Sequence, residues 1–156
     1  MKMLQRALIA IIFIFTSSCG YEPLLSKKNA ANYQFSIKDI VLEGDRDVNL
    51  KIKQKLNSYT LKKLDKEFSL KINSTSQRII SEKNIQGDPT TFKTTVLVYV
   101  IVVFNNNSTN NLQFEKSFQY KNIPNKFDLK IFEKELKINL TETIVDQLTF
   151  KLSNIQ

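Results

Sequence analysis

The chain has 156 residues, with 23 Lys+Arg against 15 Asp+Glu, no His, no Trp and one Cys, for a formal net charge of +8. With no His and a single Cys, a zinc site, a Ser-His-Asp triad and a Cys-His nucleophile are all excluded. Gly20, Gly44 and Gly87 are too few for a phosphate-cradling loop, there is no Gly-x-Ser-x-Gly elbow, and no Asp or Glu stands where a raised pKa is expected; no enzyme, cofactor or metal is predicted.

The N-terminal stretch carries a processing signal. Lys2 and Arg6 precede Ala7 to Phe15, nine consecutive apolar residues, and small polar residues then lead to Cys19. A charged region, a short apolar region and small residues before a cut describe a secretory signal. Nine residues are well below the ~20 that span a bilayer as a helix. The arrangement Thr16-Ser17-Ser18-Cys19 resembles a bacterial lipobox, in which the cysteine thiol receives diacylglycerol and becomes the first mature residue. Thr16 departs from it, standing where an aliphatic residue is preferred. A soluble secreted protein with its thiol near the cleavage site is the alternative. A free thiol in an oxidising compartment is a liability, however, and acylation removes it. Several acyl chains on one residue also anchor stably, at roughly 0.8 kcal/mol per buried methylene. Gly20 rather than Asp after the cysteine suits the outer membrane under the enteric sorting rule. The expected organisation is a lipoprotein signal peptide over 1–18, lipid attachment at Cys19, a tether over 19–32, and a single domain over 33–156.

Removing Lys2 and Arg6 from the 23 basic residues leaves 21 against 15 acidic ones, a mature net charge of +6. Basic proteins bind nucleic acid, membrane surfaces or anionic glycolipids. Export argues against nucleic acid, which leaves an anionic envelope lipid or an acidic partner. The bland alternative is a charge that only keeps the protein soluble.

Tyr33, Phe35 and Ile37 alternate with polar residues, the period of a half-buried strand. Ile40 and Leu42 resume that alternation on shifted parity, which predicts a bulge near Lys38-Asp39. From Asp45 to Lys66 the period becomes helical: Val48, Ile52, Leu56 and Tyr59 line one side, with Leu64 near its end. Lys51, Lys53, Lys55, Lys62 and Lys63 form a basic solvent face, Asp45 or Asp47 is the N-cap candidate, and late lysines suit the helix dipole. A basic amphipathic helix can bind membranes, but a surface helix packed on a sheet is the preferred reading.

Phe68, Leu70 and Ile72 predict a second strand. Asn73 to Gln77 reads as a polar break, Ile79 and Ile80 restart extended character, and Gly87-Asp88-Pro89 is a turn. Val96 to Phe104 is apolar at nine consecutive positions and rich in β-branched residues, so it is a central strand with both faces to be covered. Helices cover one face; large neighbouring side chains or a partner must cover the other. Asn105 to Asn111 predicts a hairpin loop, since Asn tolerates left-handed conformations. Leu112, Phe114, Phe118 and Tyr120 then share one parity with Lys116. After Pro124, Leu129, Phe132, Leu136, Leu140, Ile144, Leu148 and Leu152 mark a long helix, widened by Ile131, Ile138 and Val145. Asp128 is its N-cap candidate and Glu133 with Lys137 an i,i+4 pair. Core packing is preferred over a coiled coil, because no heptad register is sustained. The fold class is therefore α+β: a four-stranded, mostly antiparallel sheet with two amphipathic helices on one face, in the order β-α-β-β-β-α.

That order behind Cys19-Gly20-Tyr21-Glu22-Pro23-Leu24-Leu25 resembles the LptE family, lipopolysaccharide-assembly lipoproteins of Gram-negative outer membranes, in its short alphaproteobacterial form. The Cys-Gly-aromatic-x-Pro-Leu start carries the likeness. Thr90-Thr91 leading into the Val96–Phe104 strand and the C-terminal amphipathic helix extend it over nearly the whole mature chain. Thr16 and a final helix with few alanines and acids depart from the family pattern. The resemblance implies a non-enzymatic outer-membrane lipoprotein, lipid-anchored and facing the periplasm. It would plug a large LptD-like β-barrel and help deliver lipopolysaccharide to the outer leaflet. Only Cys19 carries over by position. Lys83, Lys93, Lys121 and Lys126, which lie in or beside turns at the sheet's ends, are the candidate lipopolysaccharide contacts, since Lys presents point charges to phosphate; ordinary solvated surface lysines are the alternative. The competing functional class is a non-catalytic scaffold lipoprotein of another envelope assembly complex. A lipid-anchored hydrolase using carboxylates is the third.

Overall fold

The structure, a computed structural model, describes residues 34–61 and 63–155. The expected signal peptide, Cys19, the tether, Tyr33 and Lys62 lie outside them. Six elements follow one another: β1 (Ser36–Gly44), α1 (Arg46–Thr60), β2 (Glu67–Lys83), β3 (Pro89–Phe104), β4 (Thr109–Lys121) and α2 (Lys126–Asn154). The strands lie side by side as β1-β2-β3-β4. β1 runs parallel to β2 across the α1 crossover, and the two remaining pairs are antiparallel. Both helices cover one face, where Val48, Ile52 and Leu56 of α1 and Ile144, Leu148 and Leu152 of α2 join Leu70, Ile72, Val98 and Val100 in a single core. This is the α+β fold that periodicity predicts.

β1 shifts register between Ile37 and Asp39, where the alternation changes parity. The shift keeps Ile37, Ile40 and Leu42 all toward the helices. Asp45 is the N-cap of α1: its carboxylate accepts from the amides of Asp47 and Val48 at 3.0 and 3.1 Å. Gly44 immediately before it has φ +100°, and a Cβ there would stand 1.9 Å from the carbonyl oxygen of Ser74. Only glycine fits so close an approach of two backbones.

α1 ends at Thr60, one and a half turns before the predicted end at Lys66. Tertiary pairing overrides the helical pattern here. The Ser36 hydroxyl accepts from the Leu64 amide at 3.3 Å, and the Ser36 amide donates to the carbonyl of Lys66 at 2.8 Å, which draws the chain into β2 alongside β1. The last turn consequently holds no basic residue, so the expected lysine-dipole pairing does not form. Tyr59 closes the stripe by stacking on Phe35, ring centroids 4.8 Å apart.

β2 is one strand of 17 residues, without the break predicted at Asn73 to Gln77. Its ladder to β3 runs unbroken from Phe68 opposite Phe104 to Ile80 opposite Phe92. The polar residues fit because they have partners under the helices. Ser74 donates to Asn49 at 2.8 Å and Ser76 to Asp45. Among the described residues no buried side-chain N or O lacks a hydrogen-bond partner.

β3 is internal to the sheet, as its unbroken apolar run requires. Val96, Val98, Val100 and Val102 are 0–1% exposed under the helices, each burial contributing about 1.5–3 kcal/mol. Neither described helix covers the other face, and there Tyr99 and Ile101 remain 46% and 40% exposed. Neighbouring strands cover that side only partly. The β3–β4 turn uses Asn107 at φ 62°, the left-handed conformation expected of an Asn loop. Phe118 shares the parity of Phe114 and Tyr120 but lies 50% exposed on the outer strand.

α2 begins at Asn125, whose side chain accepts from the Phe127 amide at 2.9 Å; Asp128 sits in the first turn instead of capping it. Its buried stripe is Leu136, Ile144, Val145, Leu148 and Leu152, while Ile131 faces solvent. The expected Glu133–Lys137 pair does not form, because both side chains reach to other elements. Glu133 takes Arg78 of β2 at 2.7 Å, and Lys137 takes Asp45 and Asp47 at 3.2 and 3.4 Å.

Burial tends to raise the Asp45 pKa, but hydrogen bonds from Ser76, the Val48 amide and Lys137 outweigh it and hold the carboxyl below its ordinary value. A carboxylate depressed in the folded state contributes stability above the unfolded-chain pKa and loses it as pH falls through the folded value. Asp45→Asn is therefore expected to unfold at lower urea at neutral pH, by about 1 kcal/mol. The difference from the unsubstituted chain should shrink in acid, and a constant difference at all pH values would contradict the charge-assisted junction.

Candidate functional site

The sheet has two unlike ends. At one, β1 and β2 begin, β3 finishes, and the Asn105–Ser108 turn lies beside the C-terminal end of α2. At the other, β2 finishes, β3 begins, β4 finishes and α2 starts. All four lysines named from the sequence fall at this second end, and Cys19 lies outside the described residues.

Local hydrogen bonds set the geometry of that end. In the β2–β3 turn the Asn84 amide donates to the Asp88 carbonyl at 2.9 Å, the Asp88 amide returns to the Asn84 side chain at 2.8 Å, and Gly87 supplies φ +90°. The Asn122 amide and side chain donate to the carbonyls of Thr90 and Pro89 at 2.8 and 3.0 Å, tying the chain leaving β4 to the start of β3.

Lys93 and Lys121 are on the helix-free face. Lys93 stands opposite Ile79 and Gln119, and Lys121 opposite Thr91, which makes the two lysines diagonal neighbours across β3 and β4. Lys83 is beyond the register shift that ends β2, opposite Pro89. Lys126 belongs to the helix side of the same end, on the rim of a cavity of about 460 Å³. The structure thus brings Lys83, Lys93 and Lys121 to one end of the sheet and Lys126 around its corner.

That cavity holds residues absent from the sequence-based set. Arg78 lines it together with Lys126 and Lys130, and Phe92, Ile123, Pro124 and Leu129 form apolar walls. The Arg78 guanidinium lies 4.6 Å from the Phe92 ring centroid and 2.7 Å from Glu133 Oε1. Its hydrogen bond to Glu133 raises an already high pKa. Tyr120 donates to the same Glu133 oxygen at 2.8 Å and shares a 3.2 Å hydrogen bond with Thr94. Burial, first, and the Glu133 carboxylate push the Tyr120 phenol above its ordinary pKa. Glu133 therefore orients the arginine and the phenol, while Lys126 and Lys130 are in no ion pair among the described residues. Such a cavity suits an anion that has an apolar body.

Parity could have found Arg78. Carrying the alternation of Phe68, Leu70 and Ile72 through Ser74 and Ser76 lands on Arg78 and Ile80, on the helix side. Reading Asn73 to Gln77 as a break hid it. No sequence signal separates Lys130 from the other lysines of α2.

The helix-free face offers a second feature. Val41, Tyr99 and Ile101 wall a shallow groove of about 250 Å³ beside Lys71 and Glu43. Among the described residues no group of three or more His, Cys, Asp or Glu could hold a metal ion, and no helix is long and apolar enough to cross a membrane.

No family model and no curated protein sequence matches the chain. Solved structures do. The chain is similar to lipoprotein B from Nitrosomonas europaea, with a TM-score of 0.57 and 11% identity over 78% of this chain and 86% of that one. It is similar to the rare lipoprotein B from Shewanella oneidensis, with a TM-score of 0.55 and 12% identity over 74% of this chain and 97% of that one. A minor lipoprotein from Acinetobacter baumannii gives a TM-score of 0.55 and 14% identity over 74% and 90%. The described domain thus has the fold of these lipoproteins.

Glu133→Gln is expected to lower the Tyr120 pKa toward the ordinary tyrosine value and to leave the other tyrosines unchanged. Tyrosinate absorbance or a ring-carbon NMR titration measures it, and an unmoved Tyr120 would contradict the coupling.

Proposed function

We propose that this protein is a non-catalytic outer-membrane lipoprotein of the LptE type. It is anchored through Cys19, partners a large LptD-like β-barrel and helps deliver lipopolysaccharide to the outer leaflet. The observation that carries the reading is the fold shared with three lipoprotein structures, found in a chain whose Cys19 follows a signal-like stretch. The cationic end supports it. Lys83, Lys93, Lys121 and Lys126, joined by Arg78 and Lys130, present charge suited to phosphates and acidic sugars. The half-exposed Tyr99 and Ile101 on the helix-free face supply apolar surface that the inner wall of a barrel would cover.

Affinity capture of the lipidated protein from its own membranes tests the partnership. A stoichiometric large β-barrel is the expected companion. Recovery with a different assembly complex would replace this reading with that of a scaffold lipoprotein. For the ligand, charge reversal at Lys83, Lys93, Lys121 and Lys126 together is expected to weaken lipopolysaccharide binding about tenfold or more, with the circular-dichroism spectrum unchanged. Unchanged binding would remove these lysines from the site.

A further inference from the structure

The edge of β1 that no other described strand pairs with lies beside α1, and the two frame a groove of about 360 Å³ with Lys38, Ile40 and Leu42 on the strand side and Lys53 and Asn57 on the helix side. Among the described residues β1 pairs only with β2. The Ser36 amide, before the register shift, and the Asp45 amide, after the strand, both donate toward β2, to the carbonyls of Lys66 and Ser74. Backbone groups alternate sides along a strand, so the shift at Lys38 turns the amides and carbonyls of Ile40 and Leu42 toward the edge away from β2. The Ile40 amide shows what that edge seeks: it donates to the carboxylate of its own neighbour, Asp39, at 2.9 Å. That oxygen takes the place of the carbonyl of an added strand.

Charge gives the occupant its chemistry. Lys38 and Lys53 are in no ion pair among the described residues, and Asp39 is the groove's one acid. Ile40 and Leu42 are half-buried and provide an apolar floor. The opposite edge of the sheet is less suited, because β4 carries Lys116 among its helix-side residues, a charge that discourages strand addition.

We propose that this groove binds an extended acidic segment of a partner protein, which adds to β1 as a fifth strand of the sheet. Its backbone takes over the Ile40 amide from Asp39 and pairs with Leu42. One of its apolar side chains lies over Ile40 and Leu42, and a carboxylate lies between Lys38 and Lys53. Strand addition of this kind draws affinity from the main chain and specificity from alternate side chains. The proposal is independent of the lipopolysaccharide reading.

The probe is a capped peptide alternating valine with threonine and glutamate, titrated into the isotope-labelled full chain in detergent micelles. Amide shifts are expected at Lys38 to Leu42 and at Lys53 and Asn57, with slowed hydrogen exchange at Ile40 and Leu42. The same peptide with lysine for glutamate should bind about fivefold more weakly, and Lys53→Glu should weaken the acidic peptide by about the same factor at unchanged circular dichroism. Asp39→Ala, which removes the competing acceptor and a like charge, should tighten it. Unmoved β1 amides would overturn the proposal, as would equal binding of both peptides. A Leu42 amide already protected before peptide is added would overturn it too, assigning the edge to the chain's own preceding residues, or to a second copy if the protection depends on concentration.

Discussion

Both helices are held over the sheet by one aspartate. The Asp45 amide donates to the Ser74 carbonyl of β2 at 2.9 Å, its carboxylate caps α1, and the same carboxylate takes Ser76 of β2 and Lys137 of α2. Three layers of interaction meet at a residue only partly shielded from water. Gly44 makes the meeting possible, because no side chain fits between it and Ser74. The apolar core supplies most of the driving force, but apolar contact is non-directional. The Asp45 cluster supplies direction: it sets where along β2 the crossover helix begins, and the i,i+4 geometry of α2 then brings Lys137 to the same point. Lys51 with Glu142 continues the α1–α2 contact along the helices.

The element order and the sheet class were legible in the sequence because the periods are clean. Val48, Ile52 and Leu56 repeat at helical spacing and are buried together; the length and β-branched composition of Val96 to Phe104 favoured an internal strand over a helix. The bulge at Lys38-Asp39 was readable from a parity change alone. Apart from the cap of α2, where Asn125 lies only three residues before Asp128, the misreadings share a cause: local polarity or periodicity was overridden by a partner distant in the chain. Ser74 and Ser76 look like a break until Asp45 and Asn49 are placed above them. The helical pattern runs past Thr60, but Ser36 draws the chain at Leu64 and Lys66 into a parallel strand. Glu133 and Lys137 have the spacing of a pair, yet Arg78 and Asp45, both far away in sequence, are better placed.

The candidate site was legible in location more than in membership. Turn composition put Lys83, Lys93, Lys121 and Lys126 at the sheet's ends, and the antiparallel connections gathered them at one end. Arg78 escaped because it was assigned to no element, and its stacking on Phe92 depends on a register that only pairing with β3 defines. The same register places Thr94, Tyr120 and Glu133 in one hydrogen-bonded chain behind the cavity. Its polar wall is thereby fixed in orientation, while Lys126 and Lys130, in no ion pair among the described residues, stand at the helix start.

The length of β2 sets the distance between the two ends of the sheet. Its 17 residues, at roughly 3.3 Å each, span about 55 Å. Because β1 and β2 are parallel and begin together, the chain comes into the domain beside Glu67, at the end away from Arg78 and Lys93. Ser36, level with Glu67, therefore stands eleven strand positions, roughly 36 Å, from the level of Arg78. The strand works as a ruler: removing a pair of residues from each of β2, β3 and β4 between those levels would leave every side chain on its own face, yet bring Arg78 and Lys93 nearer to Ser36 by about 7 Å.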